Sequence, residues 1–209
     1  MQLISNGFTD GQPIPAEHAL CVGDPESHVI VAANTNPHLA WSEVPEGTRS
    51  IALICVDVDV PTSADDVNKD DREVPADLPR TDFFHWVVAN LPPDLREIEV
   101  AEFARGVVPH GRNAASGPHG SVQGINDYTS WFAGDAEMEG DWYGYDGPCP
   151  PWNDSLIHHY HFNAYALDVD RLDLSGPFTG QDLRSAMEGH VLADATLVGT
   201  YTLNPRLGA

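Results

Sequence analysis

Lysine is nearly missing from this 209-residue chain. Lys69 is the only one, and Lys plus Arg total 10 against 32 acidic residues, for a formal charge of −22. A field of that sign repels nucleic acid and anionic bilayers, so no nucleic-acid partner and no stable membrane attachment are expected. Such acidity also fits a solubility adaptation to a salty cytoplasm. Long apolar runs are lacking as well, and none approaches the ~18 residues of a membrane helix. The start, Met1-Gln2-Leu3-Ile4-Ser5-Asn6-Gly7, has no basic region followed by an apolar stretch. No signal peptide is expected, and the chain is read as cytoplasmic. Cysteine is scarce: Cys21, Cys55 and Cys149 are odd in number, far apart and without a CxxC pair. Zinc-ribbon and thioredoxin-type motifs are thereby excluded, and reduced structural thiols are expected. No G-x-S-x-G elbow, P-loop or H-E-x-x-H is present either.

What the chain does contain suits one β-rich domain spanning 1–209. Gly 18 and Pro 17 are dispersed, as many turns between short strands require. Residues 50–57, 84–90 and 158–167 read as strands, the last rich in aromatics, and 196–203 as a final strand. The charged segment Thr62 to Asp82, with Pro75 and Pro79, reads as an exposed loop. A second long irregular segment runs from about Gly106 to Pro151. Thr179 and Asp182 form a capping-box pattern ahead of Leu183, Ala186, Met187, His190 and Val191, an apolar stripe at helical spacing. The order implies an antiparallel β-sandwich with one helix near the C-terminus.

Three clusters carry candidate chemistry. Asp57-Val58-Asp59-Val60-Pro61 ends a buried strand, where alternation places both carboxylates on one side. A polar strand end entering a turn fits equally. His85 shares a strand face with Val87 and Ala89, opposite Trp86, and fits a hydrogen-bonded core histidine as well as a functional one. Gly147-Pro148-Cys149-Pro150-Pro151 is a stiff loop followed by His158-His159-Tyr160-His161. On a regular strand His158 and Tyr160 face one way, His159 and His161 the other. The three histidines therefore do not converge on one ion, while a two-histidine site completed by Asp57 or Asp59 stays open.

Together these segments resemble the phosphatidylethanolamine-binding (Raf-kinase-inhibitor-like) family, in its bacterial branch. The family pattern Asp-Pro-Asp-x-Pro, then His-Trp-(apolar)2-x-Asn-(apolar)-Pro, is matched by Asp57 to Pro61 and His85 to Pro92. Gly-Pro-Cys-Pro-Pro, then His-(Arg or His)-Tyr-x-Phe-x-x-Tyr-Ala-Leu, is matched by Gly147 to Pro151 and His158 to Leu167. The resemblance covers nearly the whole chain. It implies a Greek-key sandwich with a C-terminal helix near a small anion pocket lined by Asp57, Asp59, His85, Pro150, His158 and Tyr160. Three features depart from the pattern. Val58 replaces the first proline, His159 stands where many relatives carry Arg, and the 62–82 loop is longer than in short bacterial members.

The expectation is therefore a non-catalytic binder of a small phosphorylated or carboxylated ligand, a lipid headgroup included, with no cofactor or metal. Protonated His85 and His158, with the Tyr160 hydroxyl, would hold the anion, so binding is expected to tighten below about pH 6.5. An interaction protein regulating a kinase or protease and a metal-assisted hydrolase using His85, His158 and Asp57 are the alternatives. A protein partner and a homodimer are left open.

Overall fold

The structure, a computed structural model, describes residues 1–112, 115–174 and 176–208. Residues 113 and 114, inside the irregular segment expected over 106–151, lie outside the described residues. Eleven strands follow in chain order: β1 (Gln2–Ile4), β2 (Gln12–Pro13), β3 (Cys21–Asp24), β4 (His28–Val31), β5 (Leu39–Ser42), β6 (Ser50–Pro61), β7 (Arg80–Leu91), β8 (Glu97–Ile98), β9 (Val122–Gln123), β10 (His158–Leu167) and β11 (Val191–Tyr201). Among the described residues these strands are joined by two short α-helices, α1 (Tyr128–Trp131) and α2 (Gly180–Ala186). No helix among the described residues is long and apolar enough to cross a membrane.

The main sheet has the order β2-β11-β10-β6-β7-β9, and a three-stranded sheet, β1-β5-β8, packs against it. The chain returns from β9 to place β10 beside β6, which gives the 4-1-2-3 order of a Greek key, with β8 diverted to the smaller sheet. Alternation along β6, β7 and β10 sends Leu53, Cys55, Trp86, Val88, Phe162 and Ala164 inward against Leu39, Trp41 and Ile98. Both faces of the main sheet are covered. Ala52, Ile54, Val56, Val87 and Ala89 pack under Leu183 and Met187 at α2, which explains why 50–57 reads as an unbroken apolar run.

The capping box of α2 is formed as expected: Asp182 N–H donates to Thr179 Oγ1, and the Thr179 amide donates to Asp182. The helix stops at Ala186, however. Gly189 takes a φ of +80°, the left-handed conformation that ends a helix, so His190 and Val191 leave the stripe and Val191 opens β11.

The thiol expectation is overturned. Cys21, at the start of β3, and Cys149, in the proline-rich loop, form a disulfide across 128 residues, leaving Cys55 free and buried. The pairing follows from the loop's course beside β3, where the Leu20 and Cys21 amides both donate to the Pro148 carbonyl.

Candidate functional site

Two irregularities in the β6–β7 ladder create the site. Cys55 pairs with Trp86 and Val56 with Phe84, so His85 is the extra residue of a β-bulge. The bulge cancels one alternation. His85 therefore joins Trp86 on the sandwich side, rather than Val87 and Ala89 as regular alternation implies, and its ring lies 5.1 Å from that of Tyr160. A second shift falls between Asp57–Phe83 and Val60–Thr81. It separates the two acids that alternation would put together. Asp57 turns inward, whereas Asp59 turns out to the backbone and Nδ1 of half-exposed His159, 2.8 Å from each.

Asp57, His85, Pro150, His158 and Tyr160 line one cavity of about 260 Å³, together with Phe83, Tyr128, Phe132, Val60, Ala64 and Val67. Asp59 is not part of that lining. A second, more open groove beside His28 and Trp152 is lined by residues of both charges, and its two rings are already stacked on each other at 3.9 Å.

At the cavity floor His158 is fully buried between two carboxylates, with Nδ1 2.7 Å from Asp57 and Nε2 3.1 Å from Asp154. Asp154 in turn accepts a two-pronged contact from Arg80, at 2.6 and 3.1 Å. Burial pushes the His158 pKa down, but the hydrogen bonds it donates to Asp154 and Asp57 outweigh it and lift the pKa to about 9. The chain Arg80–Asp154–His158–Asp57 is thus an alternating series of four charges that sums to neutrality. His158, expected to help hold a ligand, lines the cavity but spends both donors inside this series.

His85 is the opposite case. Its Nδ1 lies 2.7 Å from the Asp146 carbonyl, which can only accept, so Nδ1 carries a proton. Burial lowers its pKa, with the Asp57 charge and the Asp146 carbonyl pulling the other way without prevailing. The neutral ring is thereby favoured, and Nε2 makes no hydrogen bond within the protein among the described residues. The Tyr160 hydroxyl beside it is buried without a well-formed hydrogen bond, with the Asp57 carboxylate as a looser contact. Burial, and then the Asp57 charge, raise its pKa well above the ordinary value, so it stays a donor at every working pH.

The phosphatidylethanolamine-binding protein model matches residues 4–202. The chain belongs to this family. It is similar to a UPF0098 protein of Methanothermobacter thermautotrophicus, 34% identical over 96% of this chain and 98% of that one. It is also similar to UPF0098 protein YbhB of Escherichia coli, 30% identical over 97% and 100%. Among solved structures it resembles E. coli YbcL, described as a new member of the mammalian PEBP family, with TM-score 0.67, 26% identity and coverage of 96% and 97%. A Chlamydia trachomatis structure, described as that of a PEBP homolog, gives TM-score 0.61 at 32% identity, over 96% and 95%.

Several residues that build this PEBP-family site do not stand out in the sequence. Asp154 is four positions before His158, a spacing that could have flagged it, while Arg80 comes from the far end of the 62–82 segment. Asp146, fully buried, adjoins the proline-rich motif. It is held by Asn34 at 2.7 Å, Asn126 at 2.8 Å and Arg112 at 3.0 Å, so the carbonyl that fixes His85 cannot drift.

The 62–82 segment is largely exposed, as expected, though it is anchored at a few points and its last three residues open β7. Val67 and Val74 are buried, and Asn153 Nδ2 reaches the carbonyls of Asp66, Lys69 and Arg72 at 2.9, 3.2 and 2.8 Å. Asn153 Oδ1 accepts from the Asn68 amide at 2.9 Å. Asn153→Ala is expected to cost about 2–3 kcal/mol, since several part-buried hydrogen bonds to the backbone are lost at once. Hydrogen exchange should show amides 66–74 opening first, and unchanged protection there would contradict the anchoring role.

Proposed function

We propose that this PEBP-family chain is a non-catalytic binder of a small anion, a phosphate or carboxylate group whether free or as a lipid headgroup. The observation that carries the reading is the approach of the His85 and Tyr160 rings, 5.1 Å apart in the lining of one cavity, where the Tyr160 hydroxyl makes no well-formed hydrogen bond and His85 spends only Nδ1 on the protein. Tyr160 donates one hydrogen bond. His85 donates a second, charge-assisted one once it takes a proton. The charge balance of Arg80, Asp154, His158 and Asp57 leaves that proton as the local charge that draws the anion, in a molecule whose overall field repels it.

A hydrolase built on His85, His158 and Asp57 draws less support, because both nitrogens of His158 already face carboxylates. Cys55, the one free thiol, is buried with its pKa raised well above the ordinary value by burial and the Asp57 charge, so it offers no thiolate.

Binding is coupled to protonation of His85, whose unliganded pKa lies below its ordinary value. Affinity therefore falls as pH rises through and above that pKa. Acetate, ionised throughout, is expected to bind at least about tenfold more tightly at pH 5.5 than at pH 8. Calorimetric titration at the two pH values tests this, and equal affinities would refute the protonation step.

A further inference from the structure

The geometry points to a narrower ligand class for this site: a compact acid carrying one aromatic ring, such as an aryl carboxylate or an aryl phosphate. The inference rests on the anion-binding reading and goes on to specify the rest of the ligand.

Polar atoms in the cavity are almost all committed elsewhere. Tyr128 donates its hydroxyl to the Gly147 carbonyl at 2.9 Å. Asp57 accepts from His158 and from the Asp59 amide at 2.8 Å. Asn68 turns its Oδ1 to the Trp152 amide at 3.1 Å. His85 Nε2 and the Tyr160 hydroxyl remain, which is enough for one acid group. The rest of the ligand meets apolar surface.

That surface has two parts. One is aromatic: Phe83 meets Tyr128 edge-on at 5.1 Å between ring centres, and Tyr128 stacks with Phe132 at 5.6 Å. A further ring extends such a cluster with the edge-to-face and offset contacts that aromatic groups favour. The other part is aliphatic, from Val60 at the second bulge and from Ala64 and Val67 in the 62–82 segment. Asn153 pins that segment, so the wall is in place before a ligand arrives and little ordering opposes binding. Size sets the upper limit. At about 260 Å³ the cavity falls just under the ~300–1,000 Å³ of pockets that enclose drug-sized ligands. A ring and an acid group fill it, whereas the two chains of a diacyl lipid do not enter.

The test is a calorimetric series at pH 5.5 with acetate, benzoate, inorganic phosphate, phenyl phosphate and dihexanoyl phosphatidylethanolamine. Benzoate should bind about 30-fold more tightly than acetate, and phenyl phosphate about 30-fold more tightly than phosphate, from the apolar area removed from water. The short-chain lipid should not exceed phosphate. Val67→Ser should lower the phenyl phosphate to phosphate ratio by at least about threefold. Trp131→Ala, a half-exposed position on the cavity rim, should lower it too and carries the test should Val67→Ser fail to fold. Equal affinities for ring-bearing and ring-free acids overturn this inference and leave the anion site standing. A preference for the lipid overturns it in favour of a headgroup site. No binding by any of the five removes the anion reading itself.

Discussion

His158→Ala is expected to destabilise the fold by about 3–5 kcal/mol, the cost of removing one member of a buried ion pair and stranding the others. Asp57 and Asp154 would then face each other across the vacated space with no cation between them. Arg80 would still neutralise Asp154 from outside, so Asp57 bears most of the cost. The same network gives the wild type a pH signature. His158 has a pKa of about 9 in the folded chain and the ordinary value of 6.5 when unfolded. Its contribution, about 3 kcal/mol, is fully present below pH 6.5 and is lost as pH rises through 9. Chemical denaturation between pH 6.5 and 9.5 should follow that decline, and the His158→Ala chain should lack it. On the acid side the direction reverses for the buried neutral histidines. Burial lowers the pKa of His18 as of His85, so the unfolded state takes up protons first and stability falls below pH 6.5. A stability curve for the wild type that is flat from pH 6.5 to 9.5 would contradict the double-carboxylate environment of His158.

The second large effect concerns the disulfide. Replacing Cys21 and Cys149 together by serine is expected to cost about 2–5 kcal/mol, toward the upper end because the bond closes a long loop. The bond lies against the cavity, whose lining includes Cys149 and Pro150. The tie is not the only one there: the Tyr128 hydroxyl holds the Gly147 carbonyl, and Tyr145 bonds the His18 carbonyl at 2.6 Å. Loss of the bond should therefore lower the denaturation midpoint without scattering the fold. Far-UV spectra unchanged at low temperature, with a midpoint lower by about 10–20 °C, is the expected pattern. Equal midpoints for oxidised and reduced protein would show that the other ties suffice.

The strands around the site were legible in the sequence, because an apolar run of eight or ten residues between turn formers has few other outcomes. β10 occupies 158–167 as read, and the capping box of α2 forms as written. The side chains were harder to place. One extra residue in a strand reverses which face every later residue meets, and nothing in Phe84-His85-Trp86 or Asp57-Val58-Asp59 marks where it falls. Those two bulges decide that His85 enters the cavity and Asp59 leaves it. The partners of the site were hidden for another reason. Arg80 lies 74 positions from Asp154, and Cys21 lies 128 from Cys149, so only the folded topology brings them together. Asp146, of a residue type common in an acidic chain, gives no local hint that it is buried and paired.

The division of labour between the two histidines is most directly open to nitrogen NMR on histidine-labelled protein at pH 7, with phosphate added stepwise. His158 should show an imidazolium before any phosphate is present and throughout. His85 should begin neutral with its proton on Nδ1 and move toward the doubly protonated form as phosphate saturates. A response at His158 with His85 unmoved would contradict the assignment of His85 as the residue that receives the anion.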